Sequence, residues 1–370
     1  MHNICEVVDM SPGSGYARGG RAVSGIWKAL KQLNPANVRA ESLRRIRVGV
    51  VGELGLLGEV ASRLLGDKPE AYDRAGESFL LIATPSARVT HETRDAHAPC
   101  HSERSEESAF PAEILRCAQN DRNSAGLDPA ALQLLPRCDV VLFSSEYRET
   151  LPGVATQRIF ELNSADDLPS VIRGVLSEPD LAYAHLPLAR AIPGFRYDVA
   201  LRIIQNVSIE NAIFVASTSL GNVIPNPLQP LASVAEGLGD LVVLTGNQLR
   251  MLFAIGAAYG LPVGYRNQAA EVGSIVAAAF GWRSIAREMV GKIPLGGGVV
   301  PKAAIAFAGT WAIGDGIVYF YTTGRKLTRK EIRERFEAAY EKGKEVAEQI
   351  ATGIKDGVRR SRRKKNEPGV

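Results

Sequence analysis

The stretch GELGLLGEV, Gly52 to Val60, spaces its glycines as phosphate-binding turns do. It follows the apolar run Val48 to Val51 and leads into helix-forming residues. That strand, turn and helix order makes a phosphate cradle, because free N–H groups at a helix start point at an anion. A loop of the GxxxxGK[ST] kind also needs a lysine to neutralise β- and γ-phosphate charge and a hydroxyl to hold Mg²⁺. Glu59 and Val60 stand in those two places, and Gly52 comes one position early because Glu53 occupies the first glycine's place. A carboxylate in a helix's first turn gains about 0.3–1 kcal/mol from the helix dipole. Glu59 is therefore expected to fill the place an anion would take.

A rival chemistry is a dinucleotide site, since Gly52, Gly55 and Gly58 spell G-x-x-G-x-x-G. That site needs a ribose-binding acid after the second strand, about 20 residues on. Glu77 lies before the next apolar run, Phe79 to Ile82, and "ATPSA" after it holds no acid. The alternative of a dinucleotide-binding, oxidoreductase-like protein thus rests on the glycines alone, and no cofactor is expected.

The elements that must position these residues are legible. Apolar runs recur at Phe79 to Ile82, Val140 to Phe143 and Arg158 to Leu162, separated by helix-like "PAALQLLP" and followed by "LPSVIRGVL". Alternating strands and helices predict an α/β domain with a largely parallel sheet covered on both faces. At the strand ends the chain resembles an Era-like small GTPase domain with most chemical residues replaced. Gly52 to Val60 corresponds to its phosphate loop. "IATPS", with Ala83 and Ser86, matches D-x-x-G without the aspartate. "LNSADD" resembles N-K-x-D with the lysine lost, leaving Asn163 and Asp166 to pair with a guanine edge. Ala83 to Asn163 is 80 positions, and removing the 22 residues 100–121 leaves 58, an interval that fits the resemblance.

From about Pro193 the texture becomes rich in Ala, Gly and Leu and predicts an all-α domain. This part resembles the bacterial family called domain of unknown function 697, often joined to Era-like GTPase domains. The likeness runs from Asn211 to Arg325 on Thr245, Asn247, Gln248, Arg250, Met251, Ala257 to Gly260, Arg266, Glu271, Arg283, Arg287, Lys302, Gly309, Thr310 and Gly314. Their polar members read as internal networks of a helical bundle, because a buried charge must be paired. Arg266 with Glu271 is one candidate pair, and Arg283 with Arg287 shares a helix face. The resemblance implies membrane association, as short helical hairpins. Ala303 to Tyr321 nearly spans a bilayer with one charge, Asp315, whose insertion would cost about 2.5–3.5 kcal/mol.

The expected order is thus an N-terminal helical extension over 1–44, a degenerate GTPase-like domain over 45–180 and a helical domain over 193–325. An amphipathic helix over 326–356 follows, with Thr328 and Glu331 as its capping box, then a disordered basic tail over 357–370. Residues 356–370 hold six Lys and Arg against two acids, which accounts for the whole net charge of +4. At about 1 kcal/mol per basic residue near an anionic leaflet, 326–370 is a candidate membrane-surface contact. No aromatic platform for specific nucleic-acid binding accompanies it. Four cysteines without C-x-x-C spacing fit reduced thiols. The chain is therefore expected at the cytosolic face of a membrane, or else in the cytoplasm, as a non-catalytic scaffold or adaptor with an unknown protein partner. A soluble helical interaction protein is the remaining alternative.

"CHSERSEESAFPAEILRCAQND", residues 100–121, breaks every local pattern. Codons TGT CAT TCT GAG CGC AGC GAA GAA TCT can encode Cys100 to Ser108, and the reverse complement of all but their first base can encode the last two bases of the Glu113 codon through Asp121. This is the signature of an inverted repeat inserted in frame, and it resembles repeat elements translated in unrelated bacterial proteins. It also disposes of a metal site built from His91, His97, Cys100, His101 and Cys117, because three of the five lie inside the arms. The gene is expected to carry these pairing arms; a nucleotide sequence whose codons do not pair would overturn the reading.

Overall fold

The computed structural model describes residues 34–66, 78–84, 133–150, 158–221, 229–275 and 298–366. The repeat-like 100–121, most of the N-terminal extension, Ser86, Arg283, Arg287 and the last four residues lie outside these. The chain divides into an α/β unit, Ala40–Val199 with Ala258–Gly260, and a helical unit, which includes Ala200–Ala257 and Leu261–Val370.

In the α/β unit, β1 (Val48–Glu53), β2 (Phe79–Thr84), β3 (Val140–Phe143) and β4 (Ile159–Glu161) form one sheet in the order β2-β1-β3-β4. Every pairing is parallel, in the register Val48 with Phe79, Val48 with Val140 and Val141 with Ile159. Val48 to Val51 and all of β3 are buried. A parallel strand covered on both faces reads as a continuous apolar run rather than an alternation, and these strands appear where the sequence predicts them. Two longer helices, α2 (Leu54–Leu65) and α3 (Leu168–Ser177), and the short α4 (His185–Ala191) are described in this unit, after a short α1 (Ala36–Ser42) that reaches into it. α3 buries Leu168, Val171, Ile172, Val175 and Leu176, one stripe at helical spacing.

The amino end of the sheet is tied by Asp139. Its carboxylate accepts from the Arg47 N–H at 3.0 Å and from the Tyr183 hydroxyl at 2.7 Å, and the Arg44 guanidinium lies over the Tyr183 ring. Cys138 packs against Gly49, where a Cβ would come within 3.2 Å of its sulfur. Burial, reinforced by Asp139, pushes the Cys138 thiol up to about 11, so it stays protonated and free.

The helical unit is built on α5 (Arg196–Gly221, which enters it at Ala200), α6 (Gln229–Ala258), α7 (Val299–Thr323) and α8 (Arg329–Asn366). Residues 269–275 form a further helical stretch. α7 ends at Gly324, whose left-handed φ of 69° and N–H to the Phe320 carbonyl close the helix. α7 is central. At Gly314 a Cβ would fall 2.5 Å from Ile204 of α5 and 3.0 Å from the Met251 sulfur of α6. On another side Phe336, Ala339 and Ala347 of α8 pack onto Phe307, Ala308 and Ala304. The capping box forms, with Thr328 N–H to Glu331 at 2.7 Å and Glu331 N–H to Thr328 at 3.3 Å. The apolar stripe of α8 is thus a packing face. Its helix also continues to Asn366, where a disordered tail was expected from 357: Arg and Lys are good helix formers, and no Pro intervenes before Pro368.

Gly343 decides how closely α8 approaches, because a Cβ there would sit 2.9 Å from the Ala304 carbonyl oxygen. Gly343→Ala is expected to destabilise the protein by about 1–3 kcal/mol. Gly353→Ala, on the same helix with nothing near its Cβ position, should stabilise it by about 0.5–1 kcal/mol. Urea denaturation of the two variants checks both signs.

Candidate functional site

The sheet's carboxyl end is where an open parallel fold places a ligand, and there the junction between β1 and α2 decides the chemistry. β1 ends at Glu53 and α2 begins at Leu54, with no residue between them. The expected glycine-punctuated loop is therefore absent. Gly52 lies in the strand opposite Ala83, while Gly55 and Gly58 are helical. None of the three takes the positive φ found at Gly66, Gly260, Gly264 and Gly324. Glu59 is exposed and sits in the second turn, so it does not occupy an anion's place at the helix start. The N-cap, Glu53, makes no side-chain cap bond. What remains is a helix N-terminus without the loop that wraps a phosphate chain, and the dinucleotide alternative needs that loop as well.

Asn163 and Asp166 both have partners within the domain, at exposed positions. The Asn163 side-chain oxygen accepts from the Ser145 N–H at 2.8 Å, and its amide donates to Glu161 at 2.7 Å. These bonds tie the end of β3 to the end of β4. Ser164 and Asp167 close a capping box on the turn that starts α3. The Asp166 carboxylate is met by Arg63 at 2.8 Å, and the same guanidinium donates to the Ala165 carbonyl at 2.9 Å. Arg63 lies nine residues beyond Leu54, about 13 Å along the helix at 1.5 Å per residue. The acid is therefore held beside the last turn of α2 rather than at its first. No local signal pointed to Arg63, which is 103 positions from Asp166.

In the helical unit the polar motif residues do form internal networks. Thr310 of α7 accepts from Asn211 of α5 at 2.8 Å and from Gln248 of α6 at 3.4 Å, and donates to the Ala306 carbonyl. Asn247 donates to Asn211 at 2.8 Å, whereas Arg250 pairs with Glu210 at the surface rather than inside the bundle. Amides on two helices thus converge on one hydroxyl of a third. Sequence reasoning missed Gln268, which donates to the Tyr321 hydroxyl at 2.8 Å and fills the space that Gly256 leaves. The expected Arg266–Glu271 ion pair does not form among the described residues: Arg266 is exposed in a turn and Glu271 is half-buried in the following helical stretch. Nor is there a group of three potential metal ligands among the described residues.

Two helical segments, Pro193–Ser219 and Val299–Thr323, are long and apolar enough to cross a membrane. The second, α7, has its one central charge compensated, since Asp315 pairs with Arg335 of α8, which also lies over the Tyr319 ring. α7 packs along α8, and α8 also carries the exposed ion pairs Lys330–Glu334 and Arg333–Glu337. Comparison with protein-family models, curated proteins and solved structures finds no match to this chain.

Arg335→Met should leave Asp315 unpaired on a partly buried face. Breaking a fully buried pair costs about 3–5 kcal/mol. Here 33% of the arginine and 23% of the aspartate side chain remain exposed, so a loss of about 1–2 kcal/mol is expected. Asp315→Asn combined with Arg335→Met should recover most of it, as a double-mutant cycle by urea denaturation would report.

Proposed function

We propose that the chain is a non-catalytic, GTPase-related scaffold that works as a peripheral protein at the cytosolic face of a membrane. The observation that carries the first half of this reading is the Arg63–Asp166 pair. In a nucleotide-reading domain that carboxylate faces the base; here it pairs at the surface with an arginine of the same domain. The second support is the direct passage from β1 to α2, which removes the phosphate grip. Strand order and all-parallel pairing are compatible with descent from a GTPase-like domain. The chemical residues have turned to holding the domain together.

The membrane half rests on charge. The last turns of α8 carry Arg359, Arg360, Arg362, Arg363, Lys364 and Lys365, and the helix runs through them to Asn366. At about 1 kcal/mol per residue, such a helix end holds a folded domain on an anionic surface without inserting it. Peripheral attachment also suits a central helix whose neighbour has a charged outer face.

Two measurements check the reading. Calorimetry with GTP and Mg²⁺ should show no binding at millimolar nucleotide, and phosphate release should stay at background; turnover would contradict it. Flotation with anionic vesicles should be lost in 0.5 M salt and on deletion of 356–370. Retention by membranes in high salt or alkaline carbonate would contradict peripheral attachment.

A further inference from the structure

The helical unit contains a groove of about 340 Å³ that the reading above does not use. Ile275, Gly316, Ile317 and Ile332 contribute apolar wall, from the 269–275 helical stretch, α7 and the first turn of α8. The volume falls within the roughly 300–1,000 Å³ of small-molecule sites. A Cβ at Gly316 would meet Leu327 at 3.5 Å, an ordinary contact, so the position accepts a side chain. The wall comes mostly from helices, whose backbone polar groups are spent on their own hydrogen bonds. An occupant gains by burying hydrocarbon, not by hydrogen bonding along its length.

Among the described residues, two charged side chains also line the groove, and they are of opposite sign. Glu271 is half-buried on the helical stretch, and Lys326 is exposed in the α7–α8 connection, just past the helix stop at Gly324. We propose that the groove binds a single-chain zwitterionic amphiphile. Its hydrocarbon chain lies along Gly316 and Ile317, its phosphate meets the Lys326 ammonium, and its own ammonium meets the Glu271 carboxylate. A fatty acid satisfies Lys326 but sets its carboxylate against Glu271, and a cationic surfactant does the reverse. A head group with both charges gives each side chain an opposite charge, which neither a singly charged nor an uncharged head group does.

The test uses the full-length chain and lysophosphatidylethanolamine below its micellar concentration, followed by calorimetry and native mass spectrometry. One equivalent should bind, about fourfold tighter per added methylene until the groove is full. Gly316→Leu, which fills the groove, should weaken binding at least tenfold. Lys326→Glu, a change at an exposed site that the fold does not need, should weaken it about tenfold by removing a charge-assisted contact. A fatty acid and an alkyl maltoside of equal chain length should both bind more weakly than the zwitterion. Equal binding of all three amphiphiles, or wild-type affinity in both variants, would overturn the proposal. So would a dimer, seen by light scattering, that the amphiphile dissolves, since a second copy would then cover the groove. Because the ligand is monomeric, the outcome does not depend on whether the protein floats with vesicles.

Discussion

The junction at Glu53 and Leu54 is the constraint from which the α/β unit's chemistry follows. A phosphate loop needs several residues that are neither strand nor helix, so that successive N–H groups turn towards one anion. Here the strand's last residue is the helix's N-cap. The first-turn N–H groups still form a weakly positive helix end. One end without a loop or a lysine offers about 1 kcal/mol to a charge, far short of what a millimolar ligand requires. The residues beyond it follow suit: Asn163 links two strand ends and Asp166 anchors Arg63. Each bonds to a neighbour within the domain, at its surface.

The helical unit solves a different problem, that of packing a long helix rich in small residues against its neighbours. α7 has little hydrophobic bulk per residue, so it relies on close approach. Gly314 admits Ile204 and Met251, and Gly343 admits the Ala304 backbone. Close approach leaves polar atoms no access to water, which is why Asn211, Gln248 and Thr310 satisfy one another. The same logic pairs Asp315 with Arg335. A sequence that reads as a near-span is thereby accommodated as a core helix with a charged companion.

What the sequence allowed to be read, and what it hid, follows from range. β1 and β3 were legible because burial on both faces leaves an unbroken apolar run, and α3 because its stripe repeats at 3.6 residues. The capping box of α8 was legible for the same reason, since its partners are three residues apart. The loop at Gly52–Gly58 was misread because glycine spacing records no φ; Leu54, Leu57, Val60, Ala61 and Leu64 equally spell a helix face, and glycine tolerates it. Arg63–Asp166 and Asn211–Thr310 join residues about a hundred positions apart, where type alone names no partner. The basic end of α8 was taken for a tail because of its charge, although helix propensity favoured continuation.

Amide hydrogen exchange at Gly58, Glu59 and Val60, with and without GTP and Mg²⁺, tests the central claim most directly. If β1 passes straight into α2, these amides are hydrogen-bonded within the helix. They should then be as strongly protected without nucleotide as with it. Fast exchange in the free protein, slowed by added GTP, would show a loop that closes on phosphate and would contradict the account.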